Sequence, residues 1–182
     1  GYLYVSAKGY GGIATSVYTN NSINKLISDK NLYLYGTNKG GSTYGVSAIG
    51  ITHKSITHLS GQNVFISSEN TNGKAYGLWA EYSYDAASDP DGEHIDDVNL
   101  VNISSGNNLY LIASANNGTA YGAYIENSVV KAEAQGSSFI VQQSKNFGYG
   151  LQNISKGDFS LTSQIDNFVF VNNVYSNAIS IE

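Results

Sequence analysis

The chain has 182 residues, 41% hydrophobic and only 13% charged, with 20 Gly, 15 Tyr, no Cys and no Met. Nine basic residues, all of them Lys, face 14 acids, a net charge of −5 at pH 7; nucleic acid and anionic membranes need a basic footprint, and a chain without Arg lacks the bidentate phosphate clamp. Missing Cys rules out disulfides, thiolate metal sites and a cysteine nucleophile, and no apolar run approaches the ~20 residues of a membrane span.

The charged fraction is about half the usual quarter, yet aromatic residues are plentiful, so the chain is a folded strand former and not a disordered segment. From the first residues onward, one apolar strand pattern recurs: Leu3-Tyr4-Val5, Leu32-Tyr33-Leu34, Val64-Phe65-Ile66, Leu109-Tyr110-Leu111, Phe139-Ile140-Val141 and Phe168-Val169-Phe170. The successive spacings are 29, 32, 45, 30 and 29 residues. A second strand repeats as Tyr44-Gly45-Val46, Tyr76-Gly77-Leu78, Tyr121-Gly122-Ala123 and Tyr149-Gly150-Leu151, with weaker echoes at Tyr10-Gly11 and Tyr175-Ser176. A third runs over residues 23–27, 56–59, 100–103, 129–132 and 159–161. Gly and Asn separate the runs, as turn chemistry requires.

Three strands per repeat of ~30 residues with no helix between them predict an all-β fold, a right-handed parallel β-solenoid of about six coils. With strands ~4.8 Å apart, six coils make a rod of roughly 29 Å. An antiparallel sandwich also shows frequent turns, but it has no reason to repeat its sequence. The single long spacing predicts an insertion of about 15 residues over 83–97. Residues 1–182 form one solenoid domain. A start on Gly1-Tyr2-Leu3, almost inside a strand, reads as a piece excised from a longer passenger, and open strand edges at both ends favour end-to-end self-association.

Two-residue alternation sorts the faces. It expects Leu32 and Leu34, Val64 and Ile66, Leu109 and Leu111, Phe139 and Val141, and Phe168 and Phe170 to fill the core. The intervening column Tyr4, Tyr33, Phe65, Tyr110, Ile140 and Val169 then faces outward, with stacked rings over the first four coils. In the second strand Tyr44, Val46 and Ala48, like Tyr76, Leu78 and Ala80, are expected inside, with the Gly after each Tyr pointing out. Asn72-Gly73 and Asn117-Gly118 recur at one place in the coil and mark a corner.

Asn-rich turns leading into Ala-Tyr-Gly, as in NTNGKAYGLWA (70–80) and ANNGTAYGAYI (115–125), resemble the β-helical passenger repeats of bacterial autotransporters, the vacuolating-cytotoxin-like group above all. The resemblance covers essentially the whole chain. It implies a protein exported through an outer-membrane barrel, displayed at the cell surface or secreted, and engaged in host-cell adhesion or colonisation. A host surface protein or glycan is the implied partner. The translocating barrel and any pore-forming apolar segment are absent from this sequence, so membrane insertion by this segment is not expected.

Candidate contact residues gather at the insertion. Seven of the 14 acids lie between Glu81 and Asp97, beside the single Pro. Asp89, Asp91, Glu93 and Asp96 offer oxygen ligands for a Ca²⁺ ion, but an EF-hand loop with Gly92 at its sixth position would begin at Ala87 and end at Val98, and neither is a ligand. The acidic loop reads first as solvated, and, as a loop on a rigid scaffold, as a place for partner contacts. Trp79, Tyr82, Tyr84, Asp85, Asp89, Asp91, Glu93 and Tyr124 form the expected binding set. Trp79 and Tyr124 stand one coil apart and suit a stacking platform for a sugar or an anchor for a protein. The outward rings Tyr4, Tyr33, Phe65 and Tyr110 offer a second face.

His53, His58 and His94 have no regular spacing to acids and make a poor metal set. Glu81 and Glu126 are the one conceivable carboxylate pair for glycoside hydrolysis, though their places read more naturally as strand neighbours. No cofactor is expected and no nucleophile–base pair is suggested, so the sequence reads as a non-catalytic adhesive module. A passive spacer is the alternative, and a polysaccharide-active β-helix a further one.

Overall fold

The computed structural model of the chain describes residues 1–50, 53–84, 87, 91–93, 97–154, 156–172 and, as backbone, 177–181. Its first coil is β1 (Leu3–Gly9), β2 (Ile13–Asn20) and β3 (Ile23–Ile27), and its second β4 (Leu32–Asn38), β5 (Ser42–Gly50) and β6 (Ile56–Gly61). The third is β7 (Val64–Asn70), β8 (Lys74–Tyr82) and β9 (Asn99–Ser105), followed by β10 (Leu109–Ala115), β11 (Thr119–Glu126) and β12 (Ser128–Ala134). A fifth coil holds β13 (Ser138–Ser144), β14 (Phe147–Ile154) and β15 (Asp158–Ser163), and a sixth adds β16 (Asn167–Asn172) and β17 (Asn177–Ile181).

Every third strand pairs in parallel, giving sheets in the order β1-β4-β7-β10-β13-β16, β2-β5-β8-β11-β14-β17 and β3-β6-β9-β12-β15. The chain is therefore a β-solenoid, as the repeat predicts. Among the described residues no helix interrupts it. β8 ends at Tyr82 and β9 begins at Asn99, which brackets the expected insertion.

Burial alternates along the first sheet, with every other residue of β4 and β10 buried. Leu32, Leu34, Val64, Ile66, Leu109 and Leu111 meet Val46, Leu78 and Ala123 of the second sheet and Leu59, Val101, Ile103 and Val130 of the third. A single coil has no way to cover these side chains. Stacking places like over like and makes one continuous core.

At two coils the inward residues differ from the expectation. Leu109 pairs with Ser138 and Ser138 with Asn167, so the step into the fifth coil is 29 residues and not 30. One residue of slip exchanges the faces of a strand. Ile140 is accordingly buried and Val169 packs against the core, while Phe139 faces outward and Phe168 and Phe170 are 37% and 51% exposed. Apolarity alone could not set this register, because β13 and β16 open on polar residues.

The outward ladder consequently runs the whole length of the first sheet. Ring centroids are 6.1 Å apart for Tyr4–Tyr33, 4.8 Å for Tyr33–Phe65, 4.5 Å for Phe65–Tyr110, 4.9 Å for Tyr110–Phe139 and 5.2 Å for Phe139–Phe168.

The second sheet also departs from the expectation. Ala75 and Leu78 face the interior, whereas the Tyr76 ring packs against Trp79. The glycine between Tyr and the next apolar residue takes no part in the residue pairing of neighbouring strands, and the alternation resets there. A side chain at Gly45 or Gly122 would strike core residue Ile66 or Ile140 and the backbone of the next coil, so these glycines point inward, not outward. Tyr10-Gly11 belongs to a turn; Thr15 is the residue in register with Tyr44. Asn177 takes the corresponding place opposite Tyr149, and Tyr175-Ser176 lies outside the described residues.

Corners are held by stacked side chains. Buried Asn38 and Asn70 donate from Nδ2 to the carbonyls of Gly12 and Gly41, at 3.1 Å each, one coil back. Asn31, Asn63 and Asn108 form a second stack, with Asn63 Nδ2 donating to Asn31 Oδ1 at 3.0 Å and the Asn108 backbone N–H to Asn63 Oδ1 at 3.1 Å. These bonds satisfy polar backbone that stacking would otherwise bury unpaired.

Candidate functional site

On the outer face of the second sheet, register places two aromatic columns and one acidic column side by side. Tyr44, Tyr76, Tyr121 and Tyr149 align across four strands, and Trp79 aligns with Tyr124. Glu81 aligns with Glu126. Because the alternation resets at the glycine, Tyr76 and Trp79, three residues apart, share one face. Two-residue parity alone would separate them.

The tyrosines stack at 5.1 Å (Tyr44–Tyr76) and 4.9 Å (Tyr76–Tyr121), nearly parallel at 10° and 7°. Trp79 meets them edge-on, 5.3 Å from Tyr44 and 4.4 Å from Tyr76 at 85° and 78°. Tyr124 does the same to Tyr121 at 5.9 Å and 85°. Trp79 and Tyr124 then stack on each other at 4.6 Å and 26°. Mixed edge-to-face and offset packing is what ring quadrupoles prefer, and it holds the patch rigid before any ligand arrives.

Each carboxylate is tied to the ring two residues before it. Trp79 Nε1–H donates to Glu81 Oε2 at 2.9 Å, and the Tyr124 hydroxyl to Glu126 Oε2 at 2.7 Å. Burial raises the Glu81 pKa above the ordinary carboxyl value, and the neighbouring Glu126 adds to the rise against the Trp79 hydrogen bond. Burial, followed by the Glu126 carboxylate, holds the Tyr124 hydroxyl well above its usual pKa. Burial also raises Tyr76, with Tyr121 and Tyr44 next in effect, so it stays a neutral phenol.

The expected contact residues fall into three groups. Trp79 and Tyr124 come together as anticipated. Tyr82 is 3% exposed and lies against Gly50, so it supports the sheet and is not part of the open surface; Tyr76, equally buried, is covered by Trp79 and supports the patch from beneath. In the insertion, Tyr84 is half-buried with its hydroxyl near Gly92, which has φ +68°, and Asp91 and Glu93 are exposed. Asp85, Asp89 and Asp96, with His94, lie outside the described residues. Among the described residues no three His, Asp or Glu side chains converge on one metal position.

Sequence reasoning missed Tyr44, Tyr76 and Tyr121 because it placed them inside. The Tyr-Gly pair repeated in four coils is the signal that could have found them, since a glycine recurring at one place in a strand marks close backbone approach. Chemically, the patch offers aromatic rings beside two carboxylates. No family model matches the chain, and neither a curated protein nor a solved structure matches it.

Proposed function

We propose that this chain is a non-catalytic binding segment of a bacterial surface or secreted passenger protein, serving host-cell adhesion through saccharide contacts at Trp79, Tyr124, Glu81 and Glu126. One observation carries the reading: Trp79 and Tyr124 stack outward at 4.6 Å with a carboxylate acceptor beside each ring. A pyranose presents an axial C–H face that rests on aromatic rings and hydroxyls that donate to carboxylates. The passenger assignment rests on the Asn-Gly corners before Ala-Tyr-Gly at 72–77 and 117–122. The insertion follows Tyr82, the last residue of the strand that bears Trp79.

The test is binding of the purified chain to epithelial cells and to an arrayed glycan panel. Saturable binding should fall about tenfold or more in Trp79→Ala, the scale of losing an aromatic anchor, with the circular dichroism spectrum unchanged. Equal binding by Trp79→Ala and Tyr124→Ala would remove this face from the reading and leave a spacer.

The register pairing of Glu81 with Glu126 and the raised Glu81 pKa favour a second reading, a glycan hydrolase using this pair. Release of reducing ends from a polysaccharide, lost in both Glu81→Gln and Glu126→Gln, would promote it.

A further inference from the structure

The outer face of the third sheet holds a cleft of about 350 Å³, on a different sheet from the aromatic patch. Its wall is one register column: Lys25 pairs with His58, His58 with Asn102, and Asn102 with Lys131. The next column outward is Ile27, Ser60, Ser104 and Glu133, and its two serines leave the space that longer side chains would fill. Leu59 and Ile103 also border the cleft, and because their side chains face the core, its floor there is the strand main chain.

The column is rich in donors. Asn102 Nδ2 lies 3.2 Å from His58 Nδ1. With the amide nitrogen donating, Nδ1 accepts, and a neutral His58 carries its proton on Nε2 as a further donor. Lys25 and Lys131 are exposed at either end, three strand spacings apart, or roughly 14 Å. Glu133 is the one acid in the lining, beside Lys131. The cleft has no Phe, Tyr or Trp in its lining, and lysines without Arg hold anions as point charges and not as a planar fork.

We propose that this cleft binds an anionic oligosaccharide lying along the solenoid axis. Its acid groups pair with Lys25 and Lys131, while its rings lie over the main chain at Leu59 and Ile103 and its hydroxyls bond to His58, Ser60, Asn102 and Ser104. The site is independent of the Trp79 patch and stands or falls separately from it.

The experiment is calorimetric titration of the full chain with three tetrasaccharides: heparin-derived, carrying sulfate and carboxylate; hyaluronan, carrying carboxylate alone; and neutral cellotetraose. At least one acidic tetrasaccharide should bind about tenfold or more tightly than cellotetraose, and binding should weaken with added salt. Binding by both acidic probes assigns the charge to carboxylate, and binding by heparin alone assigns it to sulfate ester. Lys25→Gln and Lys131→Gln should each weaken binding about fivefold, the loss expected of one solvent-edge charge pair, and Trp79→Ala should leave it unchanged. Both lysines are exposed, so these variants should melt as the parent does. Equal binding of cellotetraose, unaltered binding by the lysine variants, or equally tight binding of a single-stranded oligonucleotide would overturn the proposal.

Discussion

Gly73 occupies a place where only glycine fits. A methyl group there would overlap the carbonyl oxygen of Gly41 in the preceding coil, and one at Gly118 would overlap that of Gly73. The obstruction is backbone, which cannot swing aside as a flexible side chain can. Gly73→Ala should therefore cost about 1–3 kcal/mol by overpacking, read as a lower denaturant midpoint. Gln142 is a contrasting case. It is fully buried between Ala113 and Val171 in register, and its amide has no hydrogen-bond partner. An unpaired buried amide is costly, so Gln142→Ala, which repeats the residue of the preceding coil, should hold or raise stability by up to about 1 kcal/mol. A loss larger than that in thermal melts would mean that the amide is paired in solution.

Within the strands of the second sheet, one glycine decides what the outer face displays. With regular alternation Tyr76 would point opposite to Trp79, and the two aromatic columns would not meet. The reset at Gly45, Gly77 and Gly122 brings them together, and strand pairing sets Glu81 in register with Glu126. Two like charges side by side destabilise a pair of strands, which fixes the sign of a pH effect. The raised Glu81 pKa means that the folded state holds its proton more tightly than the unfolded one. The stabilisation is full below the ordinary carboxyl pKa and is lost as pH rises through the raised value. Glu81→Gln keeps the acceptor for Trp79 and removes the charge. Its melting temperature should exceed that of the parent at pH 7 and approach it at pH 4; equal melting at both would show that neither burial nor the Glu126 charge raises the Glu81 pKa.

For the molecule as a whole, each coil contacts its neighbours along the axis, and local changes stay local. The connection from β11 to β12 in the next coil needs only Asn127, which adopts φ 45°, so a short link suffices between the second and third strands. Deleting 84–96 should leave the β signature in circular dichroism intact and the melting temperature within a few degrees. Collapse of the spectrum would mean that the insertion is part of the core.

The solenoid was legible in the chain because stacking demands the same kind of residue at the same place in every coil, and that demand writes a period into the sequence. The length of the insertion and the Asn-Gly corners follow from the same repetition, as does the pairing of Trp79 with Tyr124. Where polar residues open a strand, as Ser138 and Asn167 do, the period lost its phase by one residue, and only backbone pairing with the preceding coil restored it. The direction of Tyr44, Tyr76 and Tyr121 was equally hidden, because a glycine can leave the pleat without any trace in the hydrophobic pattern. The cleft on the third sheet has no sequence signature at all. Lys25, His58, Asn102 and Lys131 differ in type and stand 33, 44 and 29 residues apart. Periodicity is a property of the chain and can be read along it. Which unlike side chains share a face depends on how coils of unequal length are brought into register, and that is settled by hydrogen bonds between strands distant in sequence.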